Sequence, residues 1–312
     1  MGKKWMARIA ATVTVGLALG GLAGGSAVAS ADPPTHYTAN ICGAWGCGFQ
    51  GNPSVLSSLV SEISGYGNNP AALGLQEACL SQAAVLDIWL NNNVAGGYQS
   101  TMWAQLSGSA AGDACNGGSS YGVASFAVGP SNTPVDNWRF DSQDTLGADA
   151  DSETRGFSCI LGFVFTFYTS CSAHMVNDNS SSDGDPAYSL TQFGEYVNEE
   201  IVSRATGGNA HAVWWGGDLY VLPGQVTTAV PGFSYSNHLE ADRCFDTTYN
   251  RWTHRLKDHE DDYLNKFDWL FRSGPGRSCG ADAVLTPSSV SAMFDQSGWT
   301  HPSDHRIEAG RW

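Results

Sequence analysis

The stretch AVWWGGDLY, Ala212 to Tyr220, decides how this chain is read. An apolar run from Ala212 to Trp215 meets Gly216-Gly217, the pattern of a short strand buried on both faces. The glycines let backbone or ligand come close where the strand ends. A lone carboxylate, Asp218, follows at once. In α/β sheets ligands gather at strand ends, so this carboxylate is placed for chemistry. Taken alone, Gly-Gly-Asp reads better as a polar strand-to-loop turn, and the rest of the chain has to shift that reading.

The first residues are a targeting segment by pattern. Lys3, Lys4 and Arg8 precede an apolar, Gly/Ala-rich stretch from Ile9 to Val28, and Ala29-Ser30-Ala31 gives an A-x-A cleavage site. This predicts a secretory signal peptide over 1–31, a single domain over 32–312, and an extracellular protein. No other apolar stretch approaches the ~20 residues of a membrane span, so no stable membrane insertion is expected, and the chain is expected to be a monomer.

Removing the three basic residues of the leader leaves 12 basic against 30 acidic side chains, a net charge of −18. Such a surface offers no basic footprint for nucleic acid. If the substrate is a phosphate diester, a divalent cation must supply much of the local attraction. Eight cysteines, an even number in an exported chain, favour disulfides. Neighbour pairing (42–47, 79–115, 159–171, 244–279) is the simplest arrangement among many. The absence of a CxxC pair argues against a zinc ribbon.

Along the chain, Tyr37–Ile41 reads as a first strand. Asn52 caps a helix with Pro53 at its first position and Val55, Leu56, Leu59, Val60 and Ile63 on one face. AALGLQEA is a buried strand ending at Glu77, and a helix follows over Ser81–Leu90. Strands are expected at Tyr98–Leu106, Tyr121–Val128, Phe157–Phe165, Tyr168–Met175, Phe267–Phe271 and Arg306–Trp312. A helix is expected near Ala187–Ser203, with 130–154 and 223–262 irregular. Strands alternating with helices early and clustering in the middle indicate two mixed sheets with helices outside.

Polar groups recur at the strand ends: Asn40 in YTANIC, Glu77 in LGLQEA, His174 in CSAHM, Asp218 in WWGGD, and Asp304-His305 in HPSDHR. Asp268 in KFDWLF lies within an apolar strand. A buried carboxylate there is costly unless paired, and a histidine partner would account for it. The order Asn, Gln-Glu, His, Gly-Asp, Asp, Ser-Asp-His resembles the endonuclease/exonuclease/phosphatase superfamily, whose DNase-I-like branch is the best known. The resemblance spans nearly all of 32–312. It implies an α/β four-layer sandwich of two packed mixed β-sheets flanked by helices, and metal-dependent hydrolysis of phosphate esters.

Carried over residue by residue, the resemblance makes Glu77 the main ligand of Mg²⁺ or Mn²⁺, with Asn40 and Asp304 helping to hold the ion or order its waters. Asp218 aligns and deprotonates the attacking water, His305 oriented by Asp268 meets the scissile phosphate, and His174 assists the leaving group. Nucleic acid is the implied substrate, with a phospholipid such as sphingomyelin as the alternative. A non-catalytic binding protein on the same fold is a third reading. The sequence departs from the family at one place: Gly-Asp-x-Asn is here Gly217-Asp218-Leu219-Tyr220, and the missing amide donor leaves Tyr220 either to replace it or to weaken the site.

Other motifs carry less. Gly118-Ser119-Ser120-Tyr121-Gly122 matches GxSxG, but a loop precedes it and a strand follows, the reverse of a nucleophile elbow. Asn179–Gly184 imitates part of a calcium loop and leaves room for a structural Ca²⁺, yet the twelfth position is Leu190 rather than Glu. His301 and His305 lie four apart without the HExxH pattern of a zinc protease.

Overall fold

AVWWGGD forms a strand, and its alternation shows how the two sides of the molecule differ. Val213 and Trp215 face one way into a cluster with helical side chains; Trp214, Gly216 and Asp218 face the other. The computed structural model describes residues 35–41, 56, 59–60, 63, 70–94, 97–106, 115, 120–129, 135–139, 155–164, 166–175, 186–204, 211–221, 223–230, 232–233, 238–240, 254–255, 263–265, 268–274 and 308–311. All of them fall within Asp32–Trp312.

One sheet has the order β13-β1-β2-β4-β3, built from β1 (Thr35–Asn40), β2 (Pro70–Cys79), β3 (Tyr98–Leu106), β4 (Tyr121–Val128) and β13 (Glu308–Arg311). The second has the order β5-β6-β7-β8-β12-β9, from β5 (Val135–Arg139), β6 (Gly156–Val164), β7 (Thr166–His174), β8 (Ala212–Asp218), β12 (Asp268–Ser273) and β9 (His238–Glu240). Two short strands, β10 (His254–Arg255) and β11 (Tyr263–Asn265), pair separately. Each large sheet is mixed: β1 and β2 are parallel in the first, β7 and β8 in the second, and the other pairings are antiparallel.

The helices cover the outer faces. Helix α1 (Leu80–Asn93) and the helical residues Leu56, Leu59 and Ile63 pack on Tyr37, Leu73, Leu75 and Phe126 of the first sheet. The side chain of Gln82 reaches back to accept from Cys79 N–H at 2.9 Å, closing the first turn of α1. Helix α2 (Pro186–Ser203) and helix α3 (Pro223–Ala229) cover the second sheet through Leu190, Phe193, Val197 and Val226. There Trp215 stacks on Phe271 at 4.2 Å, and its indole N–H donates to Ser273 Oγ. Four layers result, as the sequence predicts.

Between the sheets the polarity of the side chains is graded, and those in the middle are small. At one end Ala71, Ala72, Ala127, Ile160, Tyr168, Trp214 and Leu270 make an apolar cluster. In the middle, Ser125 Oγ donates to Ser158 O at 2.6 Å and accepts from Ser172 N–H at 3.0 Å, and Gln76 Nε2 donates to both Thr38 Oγ1 and Ser172 Oγ. A Cβ on Gly74 would lie 2.8 Å from Ser172 Cβ, so the sheets meet here with no room for a larger residue. The opposite end of the gap carries Asn40, His174, Asp218 and Asp268, each buried.

The elements differ from the sequence reading in four places. The second strand does not stop at Glu77: a bulge at that point lets β2 continue to Cys79. Part of the expected loop 130–154 is β5, recruited as an edge partner of β6. The expected irregular region 223–262 contains α3, β9 and β10. Asp268 opens β12 rather than sitting inside it. The Cys79–Cys115 and Cys159–Cys171 disulfides form as neighbour pairing predicts; Cys42, Cys47, Cys244 and Cys279 lie outside the described residues.

Two buried histidines lie away from the polar end. His36 packs against Trp214, and burial lowers its pKa from 6.5 to about 3. His211 accepts from or donates to Thr169 Oγ1 at 2.8 Å; burial first, and then Arg204, lower its pKa to about 4. As pH falls through 6.5 the unfolded chain takes up these protons before the folded chain does. The stability present above that pH is therefore lost progressively on the way down to about 3. The urea midpoint is expected to fall between pH 7.5 and pH 4.5, and less steeply in His36→Leu; an identical acid limb in that variant would refute the assignment.

Candidate functional site

Register brings the candidate residues together. In the parallel pairing of β7 with β8, His174 stands beside Asp218. In the antiparallel pairing of β8 with β12, Asp218 stands opposite Asp268. Directly paired residues share a face, so a histidine and two carboxylates form a row across three strands. All three side chains are fully buried. The first sheet supplies the other wall through Asn40, the last residue of β1, and Glu77 at the bulge of β2.

The bulge determines which way Glu77 points. Leu75 pairs with Ala124 but Ala78 pairs with Gly122, so β2 carries one extra residue. Glu77 absorbs it with φ of +53°. Strand alternation alone would send Gln76 and Glu77 to opposite faces. The left-handed residue breaks that rule, and both side chains serve the inter-sheet side: Gln76 binds Ser172, and Glu77 reaches the polar end. Tyr220, two residues past Asp218, has the same φ of +53°. Among the described residues these are the non-glycine residues with positive φ, and both border this cluster. Gly217, with φ of +141°, could not be replaced without strain, since its Cβ would lie 1.9 Å from Ala173 O.

Asn40 Nδ2 donates to Glu77 Oε1 at 3.1 Å and to Asp218 Oδ2 at 3.0 Å, spanning carboxylates from different sheets. His174 Nε2 lies 3.7 Å from the same Glu77 oxygen and 3.6 Å from the same Asp218 oxygen. One potential ligand atom from each of Glu77, His174 and Asp218 falls within 4.8 Å of the others. Glu77 is the most accessible of the four, with 21% of its side chain exposed. Tyr220 is half-buried at the rim. Asp304 and His305, and with them the expected Asp268–His305 pair, lie outside the described residues.

Arg155 was not anticipated from the sequence. It precedes β6, and its Nη1 lies 2.6 Å from His174 Nδ1 and in contact with Nε2. A guanidinium only donates and a neutral imidazole has a single acceptor nitrogen, so at most one of these contacts is a hydrogen bond. A signal for it exists in the chain. The Cys159–Cys171 bridge fixes the register of a hairpin, and counting three residues outward pairs Gly156 with His174. That leaves Arg155 beside the histidine.

The donor set suits a hard divalent cation. The carboxylate oxygens of Glu77 and Asp218 are ligands such ions take, and Asn40 braces both through its amide nitrogen. Among the described residues, Glu77, Asp218 and Asp268 set against Arg155 leave an excess of formal negative charge, which favours a divalent ion.

Comparison with known proteins addresses the fold. No family model matches the sequence, and no curated protein matches it. Among solved structures, an endonuclease/exonuclease/phosphatase from Beutenbergia cavernae superposes with a TM-score of 0.59 at 14% identity, over 89% of this chain and 70% of that one. The fold is that of the endonuclease/exonuclease/phosphatase proteins. The catalytic domain of human nocturnin, with a bound sulfate anion, gives 0.54 at 16% identity over 89% and 92%. TDP2 from D. rerio, complexed with a single-strand DNA product, gives 0.51 at 11% identity over 88% and 97%. The endonuclease/exonuclease/phosphatase fold thus accounts for the sheet orders and for the convergence of strand ends described above.

The left-handed backbone at Glu77 has a measurable cost. Alanine there keeps a cost of about 1–2 kcal/mol that glycine relieves, less about 0.5–1 kcal/mol of glycine's unfolded-state entropy. Glu77→Gly is expected to be the more stable of the two by about 0.5–1 kcal/mol in urea unfolding. The bulge assignment fails if Glu77→Ala is equally stable.

Proposed function

We propose that this chain is an exported, divalent-metal-dependent phosphodiesterase whose substrate is DNA or RNA. The observation that carries the reading is the meeting of Asn40, Glu77, His174 and Asp218 within hydrogen-bonding or ion-pairing reach at one end of two packed sheets. The likeness of fold to TDP2 bound to a DNA product and to nocturnin bound to sulfate supports a phosphate ester as the substrate class. Export is supported by the leader pattern of 1–31 and by two disulfides. Among the described residues, no helix is long and apolar enough to cross a membrane.

Glu77, with Asn40 and Asp304, would hold Mg²⁺ or Mn²⁺. That ion supplies Lewis-acid neutralisation of the phosphate oxygens when bound. Asp218 orients the attacking water and takes its proton; its burial against Asn40 fixes the carboxylate for that task. His174 transfers a proton on the leaving-group side. His305, oriented by Asp268, donates to the phosphate as charge develops on it. Tyr220 stands where the superfamily places an asparagine, in a left-handed conformation that asparagine adopts far more readily than tyrosine.

A phospholipid phosphodiesterase is the second reading, and one observation favours it. Leu80, Val85 and Ile88 form an exposed apolar stripe on α1, starting three residues beyond Glu77. The other exposed pair, Phe163 and Phe167 at the β6–β7 hairpin tip, lies at the far end of β7 from His174, roughly 25 Å away at strand rise.

Purified protein is expected to cleave plasmid DNA or RNA with Mg²⁺ or Mn²⁺ and to stop on chelation. His174→Ala and Asp218→Ala should each lower turnover by at least about 10²-fold. Activity surviving Asp218→Ala would sink the mechanism, and cleavage of sphingomyelin but not nucleic acid would select the second reading. Tyr220→Asn is expected to raise both turnover and the unfolding midpoint. A large fall in turnover with a raised midpoint would instead give Tyr220 a role of its own.

A further inference from the structure

Resting on that reading of the site, we propose that Arg155 is its anion-holding residue, binding a non-bridging oxygen of the substrate phosphate on the His174 side. Three observations converge on it. The guanidinium is in contact with His174, so it sits on the row His174–Asp218–Asp268 rather than on the outer surface. It is half-buried, hence partly reachable from solvent, while His174 behind it is not. Among the arginines whose side chains are described, Arg204 is held by Glu200 on α2 and Arg272 lies 5.6 Å from the Trp214 ring centre.

That leaves Arg155 as the cation at the carboxylate cluster among the described residues. The chain is strongly acidic, so long-range attraction for a phosphate is absent and a local, oriented donor is needed. A planar guanidinium presents several N–H groups in a fixed fork that matches phosphate oxygens. Contact with the imidazole fixes the guanidinium in place before substrate arrives, which lowers the ordering cost of binding. Across the sheet the order is Arg155, His174, Asp218, Asp268, which puts the cation at the histidine end of the row, the proposed leaving-group side.

The test compares wild type with Arg155→Gln and Arg155→Lys in three measurements. Hydrolysis of bis(p-nitrophenyl) phosphate with Mg²⁺ should fall by about 10²–10³-fold in kcat/KM for Arg155→Gln, with about tenfold regained in Arg155→Lys. Binding of inorganic phosphate in the presence of Mg²⁺, followed by calorimetry, should weaken at least tenfold in Arg155→Gln. Affinity for Mn²⁺, followed by electron paramagnetic resonance, should not fall, since a neighbouring positive charge is removed, and the urea midpoint should stay at its wild-type value. Wild-type phosphate affinity in Arg155→Gln overturns the proposal. So does a loss of phosphate binding accompanied by an equal loss of Mn²⁺ affinity, which would make Arg155 a brace for the carboxylates only. If wild type hydrolyses no diester, the proposed function falls, and the phosphate titration still decides Arg155 by itself.

Discussion

Everything at the polar end depends on how closely the two sheets approach. Gln76 binds Ser172 at 2.7 Å, Ser172 Oγ donates to Leu75 O, and Gly74 leaves no space between them. Larger apolar side chains would have filled the gap with greater burial energy but wedged the sheets apart. Serine and glycine trade that energy for proximity, and every buried hydroxyl in the layer then needs a partner. Ser125, Ser158, Ser170 and Ser172 find theirs across the gap, on backbone carbonyls and on one another. Because Glu77 follows Gln76 directly, the tie that closes the sheets also sets the distance from Glu77 to His174 and Asp218.

Much of this was legible in the chain. AVWWGGD, with its apolar run and paired glycines, marks a strand buried on both faces, and the structure places its carboxylate at the strand end as the pattern suggests. Asn40, Glu77, His174 and Asp218 converge because each closes, or nearly closes, a strand running toward the same edge. Short strands were harder to see. β5 and β9 have too few residues to show alternation, and they exist because an edge of the second sheet accepts them. The bulge at Glu77 was invisible for a different reason: glutamate carries no sequence sign of a left-handed backbone, unlike glycine or asparagine.

Arg155 shows how a contact hides between two correct readings. Neighbour pairing of Cys159 with Cys171 and a strand ending at His174 were both available, and together they determine the register. Neither motif names the arginine, which lies at the end of a polar stretch that reads as loop. Its significance is a property of pairing across a hairpin, not of spacing along the chain.

The graded gap between the sheets has a kinetic corollary. Buried carboxylates backed by a hydrogen-bonded serine and glutamine layer, with an apolar cluster beyond it, project their field outward past the partly exposed Glu77, since low-dielectric walls focus it. The mouth is therefore cation-attracting and anion-repelling until the excess charge is matched. Under the proposed function, an anionic diester would meet a barrier at that mouth, and a bound divalent ion would lower it. On the same reading, that field alone would favour the ion arriving before the diester.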